Sequence, residues 1–286
     1  MRIPSNKVCD IERFAYSELS NLYSRNEIRC YLQMLFEHFL GWSMAHFLIS
    51  KSKTINQSDL LKFNFAIKDL RNGRPIQHII GSVDFCNTKL LVSKDTLIPR
   101  PETAELVYLI RQNEEPVTIL DICTGSGCIA IALAKTFGGS KVFACDISPE
   151  AMAVAKKNAD ANHVYINFAS ADILQETNPF EQKEYDIIVS NPPYVRESEK
   201  EQMHRNVLDY EPHIALFVSN NDPLLFYRHI ASFAAKHQRK GAKLYFEINE
   251  AFGNETAALL QEQGYHSIIH KDSFGKERMI EAVKLA

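Results

Sequence analysis

The tetrapeptide Asn191-Pro192-Pro193-Tyr194 combines residue types suited to holding a flat, weakly nucleophilic nitrogen. An amide or exocyclic amine delocalises its lone pair into a π system and attacks poorly. The side-chain oxygen of Asn191 and the carbonyl of Pro192 can accept its two N–H bonds. That fixes the nitrogen in line with an incoming electrophile and stabilises positive charge as it develops. Tyr194 can stack on the planar group. A strong base is unnecessary, because the proton can leave after the new bond has formed. Two consecutive prolines cannot continue a strand ladder and bias the residues before them towards extended backbone. A stiff bend therefore follows the apolar run Tyr185–Val189, which reads as a central parallel strand. The carboxyl end of such a strand is where open α/β sheets place their ligands.

A second constellation lies upstream, in Asp121-Ile122-Cys123-Thr124-Gly125-Ser126-Gly127. A strand runs into a turn of small residues and then a helix, so backbone can approach a ligand closely and helix N–H groups face it. No Lys-Ser or Lys-Thr pair directly follows Gly127, where Cys128-Ile129 stand instead, which excludes a phosphate P-loop. Ala130 stands where a dinucleotide fingerprint requires its third glycine, which argues against a nicotinamide-dependent oxidoreductase. Asp146, ending the next strand, sits where such folds accept ribose hydroxyls, with capping of the Ser148 helix as its alternative role. Asp172 follows the third strand and can receive an adenine amine, with Ile173 packing on the ring, or can serve as a plain loop carboxylate.

Strand and helix alternate around these residues. Strands are expected at Val117–Asp121, Lys141–Asp146, Ile166–Asp172, Tyr185–Asn191, Lys243–Ile248, Tyr265–Lys271 and Arg278–Lys284. Repeated alternation predicts a seven-stranded, mostly parallel, doubly wound sheet with right-handed crossovers. Between Asn191 and Lys243 no element is assigned. Residues 1–75 read as a helical bundle. Ser24 and Glu27 have capping-box spacing, Ile28, Tyr31, Leu32, Leu35, Phe36 and Phe39 form an apolar stripe, and Gly41 is a stop. Residues 76–100 read as a β-hairpin connector, with short strands at Ile76–Ile80 and Val83–Phe85, Gly81-Ser82 between them, and another strand at Leu90-Leu91-Val92. Residues 101–286 form the expected catalytic domain.

Composition narrows the function classes. At 286 residues and a formal net charge of −3, the chain is no general polyanion binder. Residues 1–75 hold 11 Lys and Arg against 7 Asp and Glu, and the remainder 21 against 28. No basic cluster flanks Asn191, since Lys200, His204 and Arg205 are interleaved with Glu197, Glu199 and Glu201. That weakens the case for a nucleic-acid base as the source of the flat nitrogen. The six cysteines form no Cys-x-x-Cys pair, so a zinc site or disulfide framework is not expected and neither is any metal. With no apolar signal core and no run of membrane-spanning length, a cytoplasmic protein is expected.

Taken together, these constellations resemble class I methyltransferases that use S-adenosylmethionine. Pro99-Arg100-Pro101-Glu102-Thr103 ahead of the first central strand is similar to the signature of the peptide-chain release factor glutamine methyltransferases. Gln77–Gly81, Tyr210-Glu211-Pro212, Ala215-Leu216 and Phe246-Glu247-Ile248 match that family too, and the resemblance spans essentially the whole chain. It implies a Rossmann-like catalytic domain behind a helical domain that helps dock the substrate. It implies transfer of methyl to the side-chain amide nitrogen of the glutamine in the Gly-Gly-Gln loop of class I release factors, modulating translation termination. Asn191, Pro192, Pro193 and Tyr194 would bind that glutamine. Cys123, Thr124, Gly125, Ser126, Gly127, Asp146, Asp172, Ile173 and Asn191 would hold S-adenosylmethionine, leaving S-adenosylhomocysteine. No nucleic acid or membrane is expected as a direct partner, and a monomer is expected. The residues alone, without the resemblance, leave glutamine, adenine and guanine open. Many members have glycine where this chain has Cys123. We expect Cys123 to keep ordinary backbone while Gly125 and Gly127 make the close approach.

Overall fold

The computed structural model describes residues 3–285. The chain divides into two compact units, one comprising the residues through Gly81 together with Arg205–Tyr210, the other comprising the rest. The first unit begins with α1 (Val8–Leu19), α2 (Arg25–Leu40), α3 (Met44–Ile49), α4 (Gln57–Arg71) and α5 (Ile76–Ile80). Helix α2 opens on the capping box, in which Ser24 and Glu27 each accept the other's backbone N–H, and it closes on Gly41 at φ 65°. The stripe Ile28, Leu32, Leu35 and Phe36 is buried. The Phe36 ring lies 4.5 Å from Phe47 and 4.4 Å from Phe63, so aromatic packing joins three helices.

The expected strand at Ile76–Ile80 is a helix. Ile76, Ile79 and Ile80 recur at the i, i+3, i+4 spacing of one helix face, which overrides their β-branched preference. The Pro75 carbonyl accepts the N–H groups of His78 and Ile79, and Gly81 ends the turn at φ 79°. The hairpin is therefore shorter than expected: β1 (Ser82–Phe85) pairs with β2 (Thr88–Leu91). Its turn falls on Cys86-Asn87, not Gly81-Ser82. Both turn residues have positive φ, 46° and 61°, the twist a two-residue hairpin loop requires.

The second unit continues with α6 (Pro101–Asn113), β3 (Thr118–Ile122), α7 (Cys128–Thr136), β4 (Lys141–Asp146), α8 (Pro149–Ala161), β5 (Asn167–Ser170) and β6 (Ile187–Ser190). After β7 (Val195–Arg196) comes α9 (Arg205–Tyr210), which belongs to the first unit. Then follow β8 (Phe217–Val218), α10 (Leu225–His237), β9 (Lys243–Glu247), α11 (Gly253–Glu262), β10 (Tyr265–Lys271) and β11 (Glu277–Lys284). The seven-stranded sheet has the order β10-β11-β9-β6-β3-β4-β5, parallel from β9 to β5, with β11 antiparallel to both neighbours. Alternate strand residues feed two cores: Ile119, Ile187 and Val189 on one face, Leu120, Ile122 and Ile188 on the other. Helix α10, for which alternation gave no assignment, buries Tyr227, Ile230, Ala231, Phe233 and Ala234 against the second face. Among the described residues no helix is long and apolar enough to cross a membrane.

The parallel register aligns the ends of the central strands. Ile122 pairs with Cys145 and Ser190, and Ser190 pairs with Phe246. The residues that come next, Cys123, Asp146, Asn191 and Glu247, therefore emerge together at one edge of the sheet.

Candidate active site

A cavity of about 280 Å³ opens at the carboxyl ends of β3, β4 and β6. Cys123, Thr124, Gly125 and Ser126 line it, as do Asp146, Asp172 with Ile173, and Asn191 with Pro193. Gly127, Pro192 and Tyr194 do not line it. Among the described residues no cluster of His, Cys, Asp and Glu could hold a metal ion.

The loop after β3 corrects one expectation. Cys123 has φ 60°, the left-handed region that favours glycine, so its backbone is not ordinary. The chain must reverse there: the next N–H, of Thr124, bonds to the Cys145 carbonyl on β4, and the Thr124 carbonyl accepts from Gly127. Replacing Cys123 by glycine should give a protein more stable than the alanine variant, by about 1 kcal/mol from relief of the left-handed backbone. Chemical denaturation of the two variants checks this, and equal midpoints would mean the backbone relaxes freely. Burial, with the nearby Asp146 charge, raises the Cys123 thiol's pKa well above its ordinary value, so it stays protonated and is no nucleophile.

The two glycines divide their work. Gly125 has φ 54° and open space where a side chain would stand, facing the cavity. Gly127 has φ 81°, but a Cβ there would lie 3.2 Å from Ala155 and from Ile131. Its missing side chain allows α7 and α8 to pack closely and does not serve the cavity wall.

Carboxylates set the electrostatics. Asp146 accepts the Gly125 N–H at 2.8 Å on one oxygen and the Ser148 N–H at 2.9 Å on the other. Helix α8 is capped by Ser148 itself, through Ala151. Burial raises the Asp146 pKa, and the backbone donors of Ser148, Gly125 and Ile147 oppose the rise. Asp121 is fully buried on β3. One oxygen accepts from the Thr124 hydroxyl and the Ala130 N–H, while Oδ1 has no partner among the described residues. Burial pushes its pKa up to about 7. Asp172 caps a short turn by accepting the Leu174 N–H at 3.0 Å.

The elbow at Asn191 is held from behind. The Asn191 amide nitrogen donates to the Thr103 hydroxyl oxygen at 3.2 Å, and Thr103 donates to Glu247 at 2.6 Å. The Tyr194 hydroxyl donates to the other Glu247 oxygen at 2.9 Å. The phenol hydroxyl thus anchors the bend from the Glu247 side. Asn249 donates to the Tyr194 carbonyl at 3.2 Å.

The rim is tied by Glu211, whose side chain is 1% exposed. It accepts the Ile98 N–H at 3.0 Å and pairs with Arg100 at 2.5 Å. The flanking residues Leu97, Pro99 and Pro212 all line the cavity. Phe226 of α10 lines it too; that helix is amphipathic in the sequence, and its period could have revealed it. Thr103, Glu211 and Glu247 lie in stretches that carry the family resemblance, yet no residue pattern signals that they meet.

Known proteins resemble this chain at two scales. Residues 102–210 match the methyltransferase small domain, and residues 13–81 match the PrmC N-terminal domain. A Flavobacterium psychrophilum protein named release factor glutamine methyltransferase is 43% identical over 269 residues, covering 92% of this chain and 94% of that protein. One of the same name from Bacteroides thetaiotaomicron is 40% identical over 274 residues, covering 95% and 98%. Among solved structures, a Thermus thermophilus 16S rRNA N2 G1207 methyltransferase, in complex with AdoMet and guanosine, superposes with a TM-score of 0.51 at 15% identity, covering 72% of this chain and 50% of that one. A Pyrococcus furiosus methyltransferase gives 0.50 at 18%, covering 68% and 87%. The structural likenesses show the fold.

Proposed function

This chain belongs to the release factor glutamine methyltransferase family, and from that premise we propose that it methylates the side-chain amide nitrogen of the glutamine in the Gly-Gly-Gln loop of class I release factors. The observation that carries the reading is the Asn191 elbow, which stands beside the glycine turn in one cavity with its amide nitrogen already engaged by Thr103.

S-adenosylmethionine fits the donor set at this site. Gly125 leaves room for close approach, Asp146 is a half-buried carboxylate at the end of β4, and Asp121 holds an oxygen with no partner among the described residues. When bound, it would supply an electrophilic methyl group on a sulfonium. Asp146 would accept its ribose hydroxyls, and Ile173 would pack against its adenine ring, with Asp172 beside it.

The chain's own residues supply positioning. The Asn191 oxygen accepts one N–H bond of the glutamine amide, and the carbonyl of Pro192, which lies between the lining residues Asn191 and Pro193, accepts the other, holding the nitrogen while charge develops on it. Pro192 and Pro193 fix the backbone of the elbow, so little reorganisation accompanies reaction. A base is not required ahead of bond formation, and the proton leaves the charged nitrogen to solvent.

Asp146→Ala should weaken cofactor binding by roughly 1.5–3 kcal/mol, the cost of hydrogen bonds to a charged group. Calorimetric titration measures this, and unchanged affinity would reduce Asp146 to a loop brace. The whole reading is tested by offering the enzyme labelled methyl donor with a release factor, RNA and DNA in parallel. Label should enter the release factor alone, and its digestion should place one methyl on the loop glutamine. Label in nucleic acid but not in the release factor would replace this reading with that of a nucleic-acid amino methyltransferase.

A further inference from the structure

We propose that Thr103 and Glu247 are positioning residues that set which way round the Asn191 amide sits, so that its oxygen faces the acceptor nitrogen. The inference rests on the methyl-transfer reading above and adds two residues to it.

An asparagine amide has two ends of nearly equal size and opposite hydrogen-bonding character. With the oxygen forward, it accepts an N–H from the substrate amide. With the nitrogen forward, it presents donors to donors, and the nitrogen is repelled. Nothing in the shape of Asn191 chooses between these states, so the choice must come from whatever meets its other end.

That partner is Thr103 in the first turn of α6, and its own behaviour is fixed in turn. A hydroxyl has one proton. The Thr103 proton goes to Glu247 at 2.6 Å, because an ionised carboxylate can only accept. Burial raises the Glu247 pKa, and the Thr103 and Tyr194 hydroxyls and the Arg278 charge oppose that rise and favour the ionised form. Thr103 then has only lone pairs left for Asn191, so the Asn191 atom facing it, at 3.2 Å, must be the nitrogen. The other Glu247 oxygen takes the Tyr194 proton at 2.9 Å, so both ends of the carboxylate act as acceptors. The polarity of the chain of bonds runs one way, from Asn191 through Thr103 to Glu247.

The fold makes the relay rigid. Thr103 is 2% exposed and Glu247 1% exposed. The register between β6 and β9 sets Glu247 and Asn191 one residue beyond the paired Ser190 and Phe246. Charged and titratable groups near Glu247 are Arg278, Glu102, Tyr194 and Tyr227. Burying a carboxylate against two hydroxyls is costly where only shape is needed. Orienting the elbow accounts for that cost.

The test compares Thr103→Val, which keeps the shape and removes the hydroxyl, with Thr103→Ser, which keeps the hydroxyl. Full-length enzyme, release factor and S-adenosylmethionine are used. Thr103→Val should lower kcat by about tenfold or more, the scale of a misaligned polar group, while KM for the release factor and the Kd for the cofactor stay within about threefold. Thr103→Ser should recover most of the loss. Wild-type turnover in Thr103→Val, or a serine variant as impaired as the valine one, would overturn the assignment. Should Thr103→Val fail to fold, wild type itself decides. The Asn191 side-chain amide protons, identified by their loss from the spectrum of Asn191→Ala, should exchange with solvent at least about tenfold more slowly than those of exposed asparagines. Equally fast exchange would mean they are not held. A wild-type enzyme that leaves the release factor unmethylated would instead defeat the reading on which the relay rests.

Discussion

Asn191→Ala lowers the rate of glutamine methylation by about a hundredfold or more, the scale for deleting one preorganised polar group from a site of developing charge. The expected loss is mainly of turnover, with cofactor affinity less affected. Asn191 shares the cavity with the glycine turn, but its nitrogen is committed to Thr103, which leaves the oxygen as its contribution to the cavity. Alanine removes that acceptor and leaves the loop Cys123–Ser126 and Asp146 untouched. Single-turnover rates and calorimetric cofactor affinity, measured on the same preparation, separate the two quantities. A variant with wild-type turnover would remove Asn191 from the reaction. One with normal turnover at saturating cofactor but weak affinity would make it a cofactor ligand instead.

Glu211→Ala should destabilise the protein by roughly 3 kcal/mol and weaken cofactor binding in parallel, since a half-exposed arginine and a buried N–H each lose a partner. Glu211 is the buried member of its pair, while the Arg100 side chain is 32% exposed and can turn to water. The estimate therefore sits at the low end for breaking such a pair. The larger share falls on the Ile98 N–H, because Ile98 is 2% exposed and water cannot easily replace the carboxylate. Leu97, Pro99 and Pro212 line the cavity on either side of this tie, so loosening it disorders the rim. Denaturant unfolding gives the stability and calorimetry the affinity. Loss of stability with unchanged affinity would show that the tie serves the fold only.

Much of the sheet is legible in the sequence, because the central parallel strands are continuous apolar runs with clear ends and the antiparallel edge strand from Tyr265 starts directly after the Gly264 turn. Lys141–Asp146 and Tyr265–Lys271 have the expected bounds, and the other five expected strands lie within a few residues of theirs. Short segments are less legible. Ile76–Ile80 is β-branched in composition but helical in spacing, and only five residues long, so its local preference and its period disagree. Cys123 illustrates another limit. Its side chain argues for ordinary backbone, yet the turn between Ile122 and Thr124 imposes φ 60°. Tertiary geometry prevails there over residue preference. The cavity wall is partly legible, since Asp146, Gly125 and Asn191 each end or follow a strand. What lies behind the wall is not. Thr103, Glu211 and Glu247 are far apart in sequence from the groups they hold, and a threonine or glutamate at such a distance gives no periodic or spacing signal.

The most direct measurement is a structure of the enzyme with S-adenosylhomocysteine and a release factor bearing its loop glutamine. The Asn191 oxygen and the Pro192 carbonyl should each lie within hydrogen-bond distance of the glutamine side-chain nitrogen, with Thr103 behind Asn191. A glutamine nitrogen held by other groups, with the Asn191 oxygen turned towards Thr103, would contradict the account.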